Sequence, residues 1–299
     1  AQQFSYDVLI DRASGRTETV TESLWEILCR RRLTNEEWRT VKKHAARRNI
    51  AMFATVCYPD EVQFARELEC ESIKIASSDV NHYPLIRLAA RTGLVIQIDT
   101  GSSTMGEIEA AVDVIQAEGN DRIIIHQCPS GYPARLPSIH LRMIPALKTL
   151  FALPIAYSDH TPGWEMDVAA VALGANLVEK TITLDRTIRS PEHMFSLEPG
   201  DAKAFIGTLR DIELALGSPR RTMSAEQLRK RREVRRSAFL VRDKRSGEQI
   251  SPEDIDYRRP GTGISPAEWE QMDSVIAARD LGAGTMLDRS DIHAGGVLV

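Results

Sequence analysis

From residue 50 to residue 181 the chain alternates short β-branched runs with amphipathic segments of helical period. The runs lie at 50–56, 73–77, 94–99, 122–126, 154–157 and 176–181, and most are largely apolar. Between them Ile108, Ala111, Val112 and Ile115 recur at i, i+3, i+4 and i+7 behind a capping box of Thr104 and Glu107. Trp164, Val168, Val171 and Ala172 repeat the spacing. A last helix carries Phe205, Leu209, Ile212 and Leu216, begins near Asp201 and is expected to stop at Gly217 in a left-handed C-cap. Apolar strands alternating with helices predict a parallel sheet covered on both faces. Six βα units are legible, whereas a closed barrel needs eight. Upstream, a helix at 34–48 has its own capping box (Thr34, Glu37) and apolar Trp38, Val41 and Ala45. The two remaining strands are expected either within residues 1–25 or in an upstream segment of a few tens of residues. The 217 residues through Gly217 fall short of the typical ~250 of eight units.

After Gly217 the pattern breaks. Residues 218–237 carry eight Arg or Lys against two Glu, a local charge of +6 within a chain of net charge −4. No aromatic residues are interleaved for base stacking, so a solvated linker is expected rather than a nucleic-acid patch. Beyond it, RDKRSGEQISPEDI from Arg242 aligns without gaps on RDLGAGTMLDRSDI from Arg279, which predicts a small β-rich, pseudo-symmetric module able to cover a site. The division expected is a barrel at 1–217, a basic linker at 218–237 and a lid at 238–299.

Composition narrows the class. With 42% hydrophobic and 27% charged residues in 299, the chain is of the globular kind. Its slight acidity disfavours wholesale nucleic-acid binding. No apolar run approaches the ~18 residues of a membrane span, and no signal-peptide pattern opens the chain, so a cytoplasmic protein without membrane partners is expected. Cys29, Cys57, Cys70 and Cys128 lack CxxC spacing, which argues against a disulfide framework or a structural zinc site.

In a parallel barrel the functional groups sit at the carboxyl ends of the strands. In this chain those ends carry Thr55; Lys74, Ser77, Ser78 and Asp79; Asp99 to Ser103; Ser130 and Tyr132; Ser158, Asp159 and His160; and Glu179, Lys180 and Thr181. Hydroxyls, lysines and Gly-Ser turns on one rim favour an anionic, oxygen-rich ligand, although hydroxyls also cap helices. Ser158-Asp159-His160 is no triad, because consecutive side chains of a strand point to opposite faces. His160 suits a divalent-metal ligand or a general base, His126 a hydrogen-bonded core residue. Lys74, at the end of an apolar strand, suits a phosphate contact or a Schiff base.

These segments resemble the sialic acid synthase family. KIASSDVNHYPLI from Lys74 is similar to its KIGSGE-x-NNYPLI segment, and CPSGYP, YSDHTPG, LVEKTITLDR and SPEHMFSLEP follow in the family's order. The piece containing DYRRPGTGISP resembles the family's small antifreeze-like (SAF) domain. The resemblance implies a (β/α)8 TIM barrel lacking its first βαβ segment here, followed by that domain. It implies condensation of phosphoenolpyruvate with an N-acylated hexosamine to give a nonulosonic acid and phosphate, with metal-aided carbonyl activation and C–O cleavage. Thr55, Lys74, Ser77, Ser130 and Ser158 would contact phosphoenolpyruvate. Asp79, Tyr132 and Glu192 would contact the sugar, and Arg259 would reach its N-acyl group from the partner of a domain-swapped homodimer. His160, Lys74 and Ser158 would carry the catalysis, with His160 holding manganese, or magnesium.

Three departures qualify this. The family's second metal histidine falls at Thr181, with His193 a candidate substitute. The family's Ser before Thr-Gly is Asp99. The opening EIG-x-NHNG and KFQ motifs are absent. The altered segments favour a bacterial nonulosonate other than N-acetylneuraminate. Two rivals stand beside this reading: a pyruvate-dependent Schiff-base aldolase using Lys74 or Lys180, and a non-catalytic sugar-binding homologue.

Overall fold

A computed structural model describes residues 2–297. The chain divides into two compact units, Ala1–Gly217 and Ser218–Val299.

The first unit opens with β1 (Gln3–Asp11), β2 (Arg16–Ser23), α1 (Leu24–Arg31) and α2 (Asn35–Arg47). Strands and helices then alternate as β3 (Phe53–Val56), α3 (Pro59–Glu67), β4 (Ser72–Ile75), α4 (Tyr83–Ala90), β5 (Val95–Asp99), α5 (Met105–Ala117), β6 (Ile123–Gln127), α6 (Met143–Phe151), β7 (Ile155–Asp159), α7 (Glu165–Ala172), β8 (Leu177–Lys180) and α8 (Pro199–Leu216). All six expected strands are present, and they pair in parallel in sequence order, β3 to β8. Residues 1–25 do not supply the remaining two. Residues 3–23 form an antiparallel hairpin, Gln3 opposite Ser23, that does not join the sheet. The second strand is polar at every position but Val20, which suits a surface ribbon and not a strand buried on both faces. The result among the described residues is a six-stranded arc of barrel type.

Period-two alternation sorts this arc into two faces. Ile73, Ile75, Ile96, Ile98, Ile123, Ile125 and Ile155 point outward under the helices and are buried to within 2%. The α5 stripe Ile108, Ala111, Val112 and Ile115 packs into this layer. Both expected capping boxes form: the Thr34 and Thr104 hydroxyls accept from the amides of Glu37 and Glu107, whose carboxylates return the bond to the cap. Such caps contribute about 1 kcal/mol each. The α7 stripe differs from expectation, since its buried positions are Asp167 and Ala170. Trp164 instead lies against Phe205 of α8, ring centroids 6.3 Å apart. Helix α8 buries none of its residues, and Leu216 is exposed. It ends at Gly217, whose φ of 55° and ψ of −135° lie outside the left-handed helical well that was expected.

In the second unit the basic segment is not all irregular: it holds α9 (Ala225–Val234), which buries no residue. The module follows, with β9 (Ser237–Leu240), β10 (Ile255–Arg258), α10 (Pro266–Trp269), β11 (Met272–Ala277) and β12 (Ile292–Val297). Its internal repeat is structural. Lys244 and Leu281, equivalent under the 37-residue offset, exchange both backbone bonds at 2.8 Å. Asp243 Oδ1 accepts from the amide of Ala283 at 2.8 Å, and its equivalent Asp280 Oδ1 accepts from Ser246 at 2.7 Å. Arg242 reaches Asp254 at 2.8 Å as Arg279 reaches Asp291 at 2.7 Å. A pseudo-twofold axis therefore passes between Lys244 and Leu281. No helix among the described residues is long and apolar enough to cross a membrane.

Candidate active site

Toward the carboxyl ends of β4 to β6 the inward positions are Lys74, Gln97, Asp99 and His126, whereas the outward ones are isoleucines. Register aligns Thr55 with Lys74, Lys74 with Gln97, Asp99 with His126, and Ser158 with Glu179. Lys74 is 5% exposed, and its Nζ donates to Glu179 Oε1 at 2.6 Å and Oε2 at 2.8 Å. It lies 3.1 Å from Asp99 Oδ2 and 3.4 Å from the hydroxyl of Ser158. Burial alone would lower its pKa, but the charges of Asp99 and Glu179 outweigh it and hold the ammonium above its ordinary value.

Behind Lys74 runs a buried relay. Ser158 Oγ is 3.1 Å from His126 Nδ1, His126 Nε2 is 2.7 Å from Gln97 Oε1, and Gln97 Nε2 donates to Ser72 at 2.6 Å. With the amide oxygen of Gln97 facing it, His126 donates from Nε2, and its Nδ1 accepts from Ser158. Burial and then the charge of Lys74 push the pKa of His126 down to about 4, so the ring is neutral at physiological pH. His126 is thus buried and hydrogen-bonded as the sequence suggested, but its partners belong to the polar lumen. Ser158, with no exposed surface, spends its hydroxyl within this network.

At the rim the second constellation is aromatic. Tyr132 lies over His160 with ring centroids 4.4 Å apart, and Phe195 approaches the same imidazole at 6.2 Å. Burial, with nearby Cys128 and Glu192, pushes the Tyr132 phenol up to about 12. His160 is 8% exposed, and its Nδ1 has no hydrogen-bond partner, as is also true of the Thr181 hydroxyl and Asp99 Oδ1. Glu192 takes a left-handed conformation in the loop after β8 and lies 3.7 Å from Arg31 of α1. The opening hairpin also docks on this loop, where Arg12 pairs with Asp185 at 2.6 Å and with Glu198 at 2.7 Å.

The remaining expected residues are placed less centrally. Ser77 and Asp79 form a short turn of 3-10 helix after β4, where Asp79 accepts from Ser78 at 3.1 Å. Ser130 is exposed and donates to the carbonyl of Gly101, joining the loops after β5 and β6. Arg259 belongs to the second unit, is exposed, and makes no side-chain hydrogen bond or ion pair among the described residues.

Lys180 does not join the other strand-end groups at the lumen. It faces outward, where it pairs with Asp159, donates to the Thr161 carbonyl at 2.7 Å and lies 3.3 Å from Asp167. Burial, with Asp159 beside it, raises the pKa of Asp167. The strand alternation that separates Asp159 from Ser158 and His160 also removes Lys180 from the lumen. Nor do the residues present suit the metal that the resemblance implies. No group of three or more His, Cys, Asp or Glu among the described residues is gathered to hold an ion. His193, the candidate substitute ligand, has its Nδ1 2.7 Å from the Thr183 hydroxyl. One imidazole and a threonine hydroxyl fall short of a divalent-ion donor set.

Asp99, Gln97 and Glu179 were not assigned a role from sequence. Their signal was parity within each strand: Gln97 and Asp99 alternate with the outward Ile96 and Ile98, and Glu179 alternates with the outward Lys180.

Comparison with known proteins agrees with this architecture. The N,N'-diacetyllegionaminic acid synthase of Legionella pneumophila is 31% identical over 98% of this chain and 85% of its own length. The pseudaminic acid synthase of Campylobacter jejuni is 30% identical over 87% of this chain and 76% of its own. The crystal structure of the N-acetylneuraminic acid synthetase of Leptospira borgpetersenii superposes with a TM-score of 0.65 at 29% identity, covering 69% of this chain and 72% of that one. The family model NeuB matches residues 1–221, and a SAF domain matches residues 235–293. With a polar lumen at the carboxyl ends of its parallel strands and a repeated β module later in the sequence, the chain belongs to the NeuB family and carries a C-terminal SAF domain.

Proposed function

We propose that the protein is a nonulosonate synthase that condenses phosphoenolpyruvate with an N-acylated hexosamine, releasing phosphate. The observation that carries this reading is the buried Lys74 ammonium at the carboxyl end of the arc, next to a rim where Tyr132 covers a histidine with an unpartnered nitrogen. The family's named activities support it.

In this reading Lys74 faces the carboxylate or phosphate of phosphoenolpyruvate, with Ser77 and Ser130 nearer the rim and Thr55 beside it. Tyr132 provides an apolar face for the sugar, while Asp79 and Glu192 accept from its hydroxyls. His160 Nδ1 and the Thr181 hydroxyl flank the open-chain aldehyde. C3 of phosphoenolpyruvate bonds to the aldehyde carbon, and the aldehyde oxygen takes a proton. Water adds to C2, the bond between C2 and the oxygen carried by phosphorus breaks, and the new hydroxyl passes its proton to the leaving phosphate, giving the 2-keto acid and inorganic phosphate. Glu179, hydrogen-bonded to Lys74, is placed to receive the proton that the water gives up. Manganese or magnesium was expected at His160, but the described residues do not assemble a site for it, and no step here uses it.

The Schiff-base rival loses its footing on charge and direction. An amine nucleophile must be neutral, whereas two carboxylates keep Lys74 cationic, and Lys180 faces the helices. The swapped homodimer, with Arg259 completing the partner's site, forms part of the proposal. If it is right, an equal mixture of inactive His160→Ala and Arg259→Ala chains, refolded together, regains activity.

The deciding assay supplies the full chain with phosphoenolpyruvate and either N-acetylmannosamine or a diacetamido-trideoxyhexose. It is run with manganese, with magnesium and after chelation. Phosphate release matched by a nine-carbon keto acid in mass spectra is expected, with the diacetamido sugar the better acceptor. No phosphate from any combination would favour a non-catalytic binder, and borohydride trapping of pyruvate on Lys74 would favour the aldolase.

A further inference from the structure

The lumen holds more negative charge than an anion site ordinarily carries. Lys74 contacts Glu179 of β8 and Asp99 of β5, two carboxylates against one ammonium. The other groups on this face do not redress the balance. His126 of β6 is held neutral, burial and then the charge of Asp99 itself keep the Cys128 thiol protonated, and Ser158 of β7 is uncharged. Lys180, the other strand-end lysine, lies on the opposite face with Asp159.

Asp99 is the less settled of the two carboxylates. Its Oδ2 meets Lys74, but its Oδ1 is buried without a hydrogen-bond partner. An unsatisfied buried acceptor costs free energy, so this side chain is poorly explained as a stabilising element. Its strand neighbours Ile96 and Ile98 face the helices and do the packing.

We infer that Asp99 sets the anion affinity of this lumen, its carboxylate occupying the place at Lys74 that an anionic group of the ligand must take. The inference rests on the reading of Lys74 as the contact for a phosphate or carboxylate. It adds that the ligand binds in competition with a group of the protein itself. Coulomb attraction at close range falls steeply when a second carboxylate already faces the cation, so Asp99 weakens binding of the free anion. Substrates held by further contacts, such as those to a sugar, are favoured over bare phosphate.

The test measures binding of phosphoenolpyruvate and of inorganic phosphate to the full chain by calorimetry, comparing the native protein with Asp99→Asn and Asp99→Ser. Asp99→Asn removes the charge at constant size, and Asp99→Ser also removes bulk. Both variants are expected to bind both anions more tightly, by roughly tenfold or more. Their melting temperatures are expected to be no lower than that of the native chain. Equal or weaker anion binding in variants that circular dichroism shows to be folded would overturn the inference, while measurable binding by the native chain would leave the Lys74 reading intact. If neither anion binds the native chain or the variants at millimolar concentration, that reading and the inference both fall.

Discussion

Lys74 and His126 show how much of this site depends on single charges held out of water. Replacing Lys74 by Met would leave Asp99 and Glu179 facing each other without their shared cation. Breaking a buried ion pair from one side typically costs about 3 kcal/mol, and that loss is expected in urea unfolding, with Glu179→Gln recovering most of it. His126 makes a prediction in pH. Its pKa falls from 6.5 to about 4 on folding, so the unfolded chain binds a proton that the native chain refuses. Stability is therefore complete above about pH 6.5 and declines as the pH falls through about 4. The full loss is roughly 3 kcal/mol, and His126→Gln should flatten that part of the curve, as measured by chemical denaturation at each pH. The chemistry-bearing types, Lys74, Ser158 and His160, were legible because they end apolar strands. Their partners were not, since Gln97, Asp99 and Glu179 come from other strands, and Glu179 follows Lys74 by 105 residues.

Elements were legible where one periodicity dominated. The six strands and the α5 stripe follow from pattern alone, as do the two capping boxes. Helix α7 departed because its deepest position is Asp167, which lies against Lys180 and Asp159 in a buried polar cluster that no hydrophobic count registers. Burial favours the uncharged acid at this position, so Asp167→Asn is expected to leave the melting temperature unchanged or higher at pH 8. The repeated module offers a paired experiment. Asp254 accepts from Arg242, Lys244 and both the amide and hydroxyl of Ser251, whereas Asp291 accepts from Arg279 and the amide of Asp288. Alanine at either position should destabilise the module, by about 3 kcal/mol at Asp254 and about 2 kcal/mol at Asp291, read from its thermal unfolding. The repeat was visible in sequence because pseudo-symmetric positions need the same turn and the same Arg–Asp bridge.

At the scale of the molecule, the chain is two units with a basic segment between its barrel-type arc and its SAF module. Residues 217–224 carry no regular structure and are exposed, and Arg220 and Arg221 lie within them. Brief trypsin treatment is expected to cut there first, giving two protease-resistant fragments divided near residue 221 in mass spectra; initial cutting inside β3 to β8 would contradict the division. The amino-acid sequence by itself determined the parallel strands, their order along the chain, the module and its repeat. Each of these rests on local periodicity and turn chemistry, which neighbouring residues encode together. Only the tertiary structure decided that residues 3–23 form a separate antiparallel hairpin, that Lys180 turns away from the lumen and that Asp99 shares Lys74 with Glu179. Those outcomes depend on strand registry and on charges brought together from distant segments, and a one-dimensional pattern carries no distance between them.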